Sequence, residues 1–150
     1  GKDAAGHIYI LEDASFKGHP AEWGTRLIEL YQQYNANVIV AERNNGGEMV
    51  EAVIRGCPGG LAIPYESIYS SRGKVVRAEP VAALYERGMV HHAGTFRYLE
   101  DQQVKFEPVN GDSSPDRVDA AVFAVCKLAG LEQGAFTMGS LMRSAAGEYE

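Results

Sequence analysis

The chain lacks any apolar run long enough to cross a bilayer, which excludes a helical membrane span. It shows no basic stretch followed by an apolar core at its start, so no secretory signal is expected. Cysteine is scarce. Cys57 and Cys126 lack metal-ligand spacing and read as reduced thiols of a cytosolic protein, not as a disulfide scaffold. No Gly-x-x-x-x-Gly-Lys-Ser/Thr motif occurs, so this chain by itself is not a P-loop NTPase. Positive charge is also short. Lys and Arg number 14 against 20 Asp and Glu, and the net charge of −6 argues against broad electrostatic binding of nucleic acid. A local basic patch stays compatible with that balance.

What is present suits one globular domain. At 150 residues, with 45% hydrophobic and 23% charged residues, the chain can bury a real core. No internal repeat and no second domain are visible. Strands are expected over residues 7–12, 37–42, 61–70 (interrupted by Pro64) and 89–92. Helices are expected over residues 20–34, 48–55, 80–87 and 116–128, with a further short one within 95–106. Pro20 suits the first turn of a helix, where a missing N–H costs nothing. Trp23, Leu27, Leu30, Tyr31 and Tyr34 recur at helical spacing and should face the core. Strand 37–42 is apolar enough to be buried on both faces. Residues 107–114 form a polar loop. Residues 130–150 have weak periodicity and read as a terminal extension to a domain of residues 1–129. Alternating strands and helices point to an α/β layer fold with a mixed central sheet flanked by helices.

A few acidic residues stand out against this frame. Glu42 ends an apolar strand, where α/β sheets commonly bind ligands. Asp116 and Asp119 open the last helix three residues apart, on one face. Asp116 also suits simple stabilisation of a helix start. Asp119 interrupts an otherwise apolar face, and an acid leaning towards a core needs a partner or a metal. Brought near Glu42, these carboxylates would hold Mg²⁺ or Mn²⁺ for phosphodiester hydrolysis. Asn45, Gly46 and Gly47 precede a helix, so their backbone could approach a phosphate. Lys74 and Arg77 would suit phosphate contacts, and solvated surface charge explains them equally well. Asp3 and Asp13 suit turns, Asp13 especially. His91 and His92 read as structural or DNA-facing.

An ordered set of motifs carries a resemblance. It comprises Gly1-Lys2-Asp3-Ala4-Ala5-Gly6, Ala41-Glu42-Arg43-Asn44-Asn45-Gly46-Gly47, and the segment from Gly73 to Glu86. Val90-His91-His92, residues 98–102, and Ser114-Pro115-Asp116-Arg117-Val118-Asp119-Ala120 complete it. Across about residues 1–125 the chain resembles the nuclease domain of the large terminase subunit of tailed bacteriophages and prophages. The resemblance implies a ribonuclease H-like fold. It also implies a two-metal endonuclease that cuts concatemeric double-stranded viral DNA during packaging, in the host cytoplasm. By this resemblance Glu42, Asp116 and Asp119 are the catalytic and metal-binding acids, with Asp3 close to the metals. Expected partners are double-stranded DNA, a terminase ATPase domain, the portal protein and the small terminase subunit. The family's first catalytic aspartate lies on a strand before the Gly-Lys-Asp loop, a strand expected upstream of Gly1. The alternatives are an integrase or junction resolvase of the same fold, or a non-catalytic module that docks on DNA or the portal.

Overall fold

Ile8 and Ile10 are buried and flank a half-exposed Tyr9, the alternation of a strand with one face in a core. This strand, β1 (Ile8–Ile10), pairs in parallel with β4 (Val90–His92), with Ile8 opposite Val90 and Ile10 opposite His92. The computed structural model describes residues 1–43, 47–68, 74–106 and 116–131. The second edge of β1 meets the start of the chain. Gly1 and Tyr9 exchange two backbone hydrogen bonds of 2.8 Å, and Lys2 bridges Ile8 in antiparallel sense.

A second parallel pair joins β2 (Ile39–Glu42) to β3 (Tyr65–Ile68), with Glu42 opposite Ile68. The single central sheet expected from the sequence is thus two parallel pairs among the described residues. A cavity of about 600 Å³ lies between them, lined by Tyr9 to Phe16, by Val38 to Val40 and by the α1 side chains Trp23 and Leu27. A second difference lies in β2. The strand expected to be buried on both faces buries only Ile39, and Val40 beside it borders the cavity and is half-buried.

Helix α1 (Pro20–Gln33) starts at proline as expected, and the Glu22 carboxylate accepts the His19 N–H at 2.7 Å. Asn35 ends it in the left-handed region, φ 47°. Its buried positions are Gly24 and Ile28, which meet α2 (Gly47–Gly56); of the expected core stripe, Trp23, Leu27 and Tyr31 pack against the smaller core, and all five residues, with Leu30 and Tyr34, also line the cavity. Gly24 sets the approach of the two helices. A Cβ there would sit 2.8 Å from Cys57 Sγ and 2.9 Å from Val53 Cγ1. After α2 the chain forms a 3₁₀ turn, Gly60–Ala62, where strand was expected. The Arg55 guanidinium holds this turn by donating to the carbonyls of Gly60 (2.9 Å) and Ile63 (2.8 Å).

Helix α3 (Lys74–Glu86) begins six residues before the expected start and carries Pro80 inside it. Proline removes one helical hydrogen bond. Packing outweighs that loss, because Val81 is buried and Ala78, Leu84 and Tyr85 rest on the same core. Helices α4 (Arg97–Val104) and α5 (Asp116–Ala129) complete the chain's described part. Two cores result. The larger gathers Ile8, Ile10, Val81, Val90, Leu99, Val118, Val122 and Val125 around α5. The smaller holds Ile28, Ile39, Ile54 and Ile63 between α1, α2 and the β2–β3 pair. No helix among the described residues is long and apolar enough to cross a membrane. The loop expected over residues 107–114 and the extension from residue 132 lie outside the described residues.

Candidate metal centre

Glu42 is the last residue of β2, so the strand delivers its carboxylate to the carboxyl end of the sheet. Asp119 lies in the first turn of α5, on the other core. Arg77 links the two. Its Nη1 lies 3.8 Å from Glu42 Oε1 and its Nη2 lies 4.0 Å from Asp119 Oδ1. The structure therefore brings Glu42 and Asp119 to one cation, the Arg77 guanidinium, where the acid pattern led to the expectation of a divalent metal. The Asp119 side chain is 16% exposed and that of Glu42 33%, so both are partly withdrawn from water.

Arg77 itself is the surprise. The sequence offered it as a phosphate contact or a solvated surface charge. It is the one charged residue in the core among the described residues, 7% exposed. Its Cζ sits 4.9 Å from the centroid of the Phe123 ring, a cation–π distance. Its Nη1 is buried and has no hydrogen-bond partner. A buried guanidinium is held there by the two carboxylates, since a lone charge in such surroundings is very costly.

The other candidate residues are placed as follows. Asp116 is the exposed first residue of α5. Asp3 is exposed and serves its own hairpin. Its Oδ1 accepts the His7 N–H at 2.8 Å and its Oδ2 accepts the Tyr9 hydroxyl at 3.0 Å. Those hydrogen bonds outweigh desolvation and hold the Asp3 carboxyl below the usual range. Gly47 begins α2, Lys74 begins α3, and the Lys74 side chain together with Asn45 and Gly46 lies outside the described residues.

His91 and His92 have structural partners. His91 shares a 2.7 Å hydrogen bond with His7 and stacks on Tyr9. His92 contacts Glu100 at 3.1 Å and the Tyr85 hydroxyl at 2.9 Å, tying β4 to α4 and α3. Asp13 is more than the turn residue expected. It accepts Arg117 Nε at 2.8 Å, pinning the start of α5 to the segment after β1. Desolvation raises the Asp13 pKa, but bonds from Ser15 and Arg117 prevail and leave it low.

Among the described residues, no three or more His, Cys, Asp or Glu side chains cluster closely enough to hold a metal. Two carboxylates converge instead. Carboxylates are the ligand type that a hard ion such as Mg²⁺ takes, and Glu42 and Asp119 are the two that face Arg77 here. The buried Arg77 guanidinium, with Nη1 towards Glu42 and Nη2 towards Asp119, marks this as a place that already accommodates positive charge.

A family model described as the terminase RNaseH-like domain matches residues 2–128. The chain belongs to this family. It is a nuclease-type module of a terminase by descent, and its α/β architecture is the ribonuclease H-like one. None of the curated proteins and none of the solved structures compared with it gives a match. Placed on the terminase RNaseH-like domain, the match covers Glu42, Arg77, Asp116 and Asp119 alike and stops inside α5.

Proposed function

We propose that this domain is a divalent-metal-dependent DNA endonuclease that cuts concatemeric double-stranded viral DNA during packaging. The observation that carries the reading is the convergence of Glu42, from one core, and Asp119, from the other, on a single buried cation. Glu42 and Asp119 are the principal metal-holding acids, and Asp116 at the same helix start supplies a further carboxylate. Asp3 stands at the margin of this set, engaged by its hairpin. Mg²⁺ or Mn²⁺ bound there would activate water and stabilise the leaving oxygen of the phosphodiester. The protein's own part is to hold the acids at fixed spacing, with the buried Arg77 between them, and to steady the DNA backbone through Lys74 and the amides of Asn45, Gly46 and Gly47.

The net charge of −6 means that this chain contributes little general attraction for DNA. Its function therefore fits a multi-part machine. The ATPase domain, the portal protein and the small terminase subunit would bring DNA to it in the host cytoplasm.

Supercoiled plasmid cleavage tests the reading, with Mn²⁺, Mg²⁺ or EDTA, for this polypeptide and a form extended upstream of Gly1. Metal-dependent nicking is expected in at least one form, and Glu42→Ala and Asp119→Ala should each lower its rate at least 100-fold. Wild-type rates in both variants would end the proposal. Absence of cutting and of divalent-ion binding, with DNA or portal binding retained, would favour the docking module instead.

A further inference from the structure

Helix α4 has a weak apolar grip on the larger core. Of its eight residues only Leu99 is buried, while Tyr98 is 71% and Val104 87% exposed. Gln102 Oε1 is buried with no hydrogen-bond partner among the described residues, which disfavours the docked position. A polar relay opposes that, and both of its ends belong to α4. Gln103 Nε2 donates to the Tyr85 oxygen at 3.1 Å. The Tyr85 hydroxyl meets His92 Nε2 at 2.9 Å, and His92 Nδ1 meets Glu100 Oε1 at 3.1 Å. The relay runs one way. The Phe96 N–H and then His92 hold the Glu100 carboxyl below the usual range. An ionised carboxylate only accepts, so His92 Nδ1 is the donor. Burial pushes the Tyr85 hydroxyl pKa up, so its proton is retained. With its oxygen already taken by Gln103, that proton goes to His92 Nε2.

We propose that α4 is a flap that opens as one unit from the larger core, and that the relay from Gln103 through Tyr85 and His92 to Glu100 is its latch. Tyr85 stays on α3 and His92 on β4 when the flap lifts. Opening therefore parts Gln103 from Tyr85 and Glu100 from His92 in the same movement, and the latch holds or fails as a whole. The His92 ring is 15% exposed, so an open latch leaves poorly hydrated polar groups behind, which favours reclosing. The flap also bears on the cavity. Leu99 lines it beside Ala120, Ala121 and Ala124 of α5, so opening removes part of the cavity wall. Few buried apolar contacts and a polar hold are the marks of an element that opens below the global unfolding free energy. The inference is independent of the metal chemistry proposed above.

Hydrogen exchange of the helical amides from Glu100 to Lys105 tests this, with folding checked by circular dichroism. Tyr85→Phe keeps the ring and its packing and removes the hydroxyl. It should quicken exchange of these amides at least 10-fold and change exchange in α5 less than 3-fold. Gln103→Ala should act in the same direction. The double variant should stay within 3-fold of Tyr85→Phe alone, because both groups act through one relay. If Tyr85→Phe does not fold, Gln103→Ala carries the same test. The ¹⁵N resonances of the His92 ring should show the proton on Nδ1 and an acceptor at Nε2. Unchanged α4 exchange in a folded variant overturns the latch. Equal quickening in α4 and α5 overturns the flap, since α4 would then open only with its core. A bare Nδ1 with the proton on Nε2 overturns the direction of the relay and the latch with it.

Discussion

The two cores differ in how they are closed. The larger one wraps α5 with α3, α4 and the β1–β4 pair, and its buried residues come from five elements. The smaller one rests on four isoleucines between two helices and one strand pair. One flank of the smaller core borders the cavity. Polar ties among the described residues join the halves: Arg77 with Glu42, Lys127 with Glu66, and Glu12 with both Arg26 and Tyr34. The lesson is that apolar burial stabilises each half, while charge sets how they face one another. The candidate site sits on that charged seam.

Substitutions in each half and across the seam can break or sharpen this contrast. The largest effect is expected at Ile54, fully buried in the smaller core. Ile54→Ala should cost ~2–5 kcal/mol in denaturant unfolding. Amide exchange should quicken mainly in α1, α2, β2 and β3, since a small core with an open flank opens first. Equal loss of protection around α5 would show that the two cores act as one unit. Gly24→Ala comes next, because the new methyl would press on Cys57 and Val53. Overpacking of this kind costs ~1–3 kcal/mol, and a gain in Tm would show that α1 and α2 have room to part.

A third prediction concerns acid. Asp13 has a depressed folded pKa, so the unfolded chain takes up the proton first. Its contribution is complete above the ordinary aspartate value of about 4 and is lost as pH falls through the lower folded value. Asp13→Asn should therefore lower Tm at pH 6 and flatten the fall of Tm below pH 4. An acid limb as steep as the wild type's would remove Asp13 from that role. The smallest effect is expected from Lys127→Ala, which breaks a half-exposed ion pair with Glu66. Such pairs contribute ~0.2–1 kcal/mol, reduced by salt. A larger loss, unaffected by 1 M NaCl, would mean that the seam is better shielded from solvent than its exposure implies.

Local pattern made much of this legible. Helical spacing with Pro20 and Asn35 marked α1, and the apolar periodicity from Val118 to Leu128 marked α5. Glu42 and Asp119 were legible as acids at a strand end and on an otherwise apolar helix face. What escaped depended on distant residues. Pro80 read as a helix start because the core that stabilises the preceding turn is supplied largely by α5 and β4. The bond from Arg117 to Asp13 joins residues that no local period connects. Arg77 looked like surface charge because its aromatic neighbour, Phe123, and both its acids lie on other elements. A basic residue one turn into a helix that follows Ser70-Ser71-Arg72-Gly73 gives no hint of burial.

The placement of Glu42 and Asp119 on separate cores also bears on how the protein is made. During synthesis α1, β2 and β3 emerge from the ribosome well before α5. A chain that has completed only the first core presents Glu42 without Asp119, and one that has lost it presents Asp119 without Glu42. Neither partial product carries the pair. If the pair is what cuts DNA, nascent and damaged copies are harmless to the genome around them, and completion of the fold is itself the safeguard.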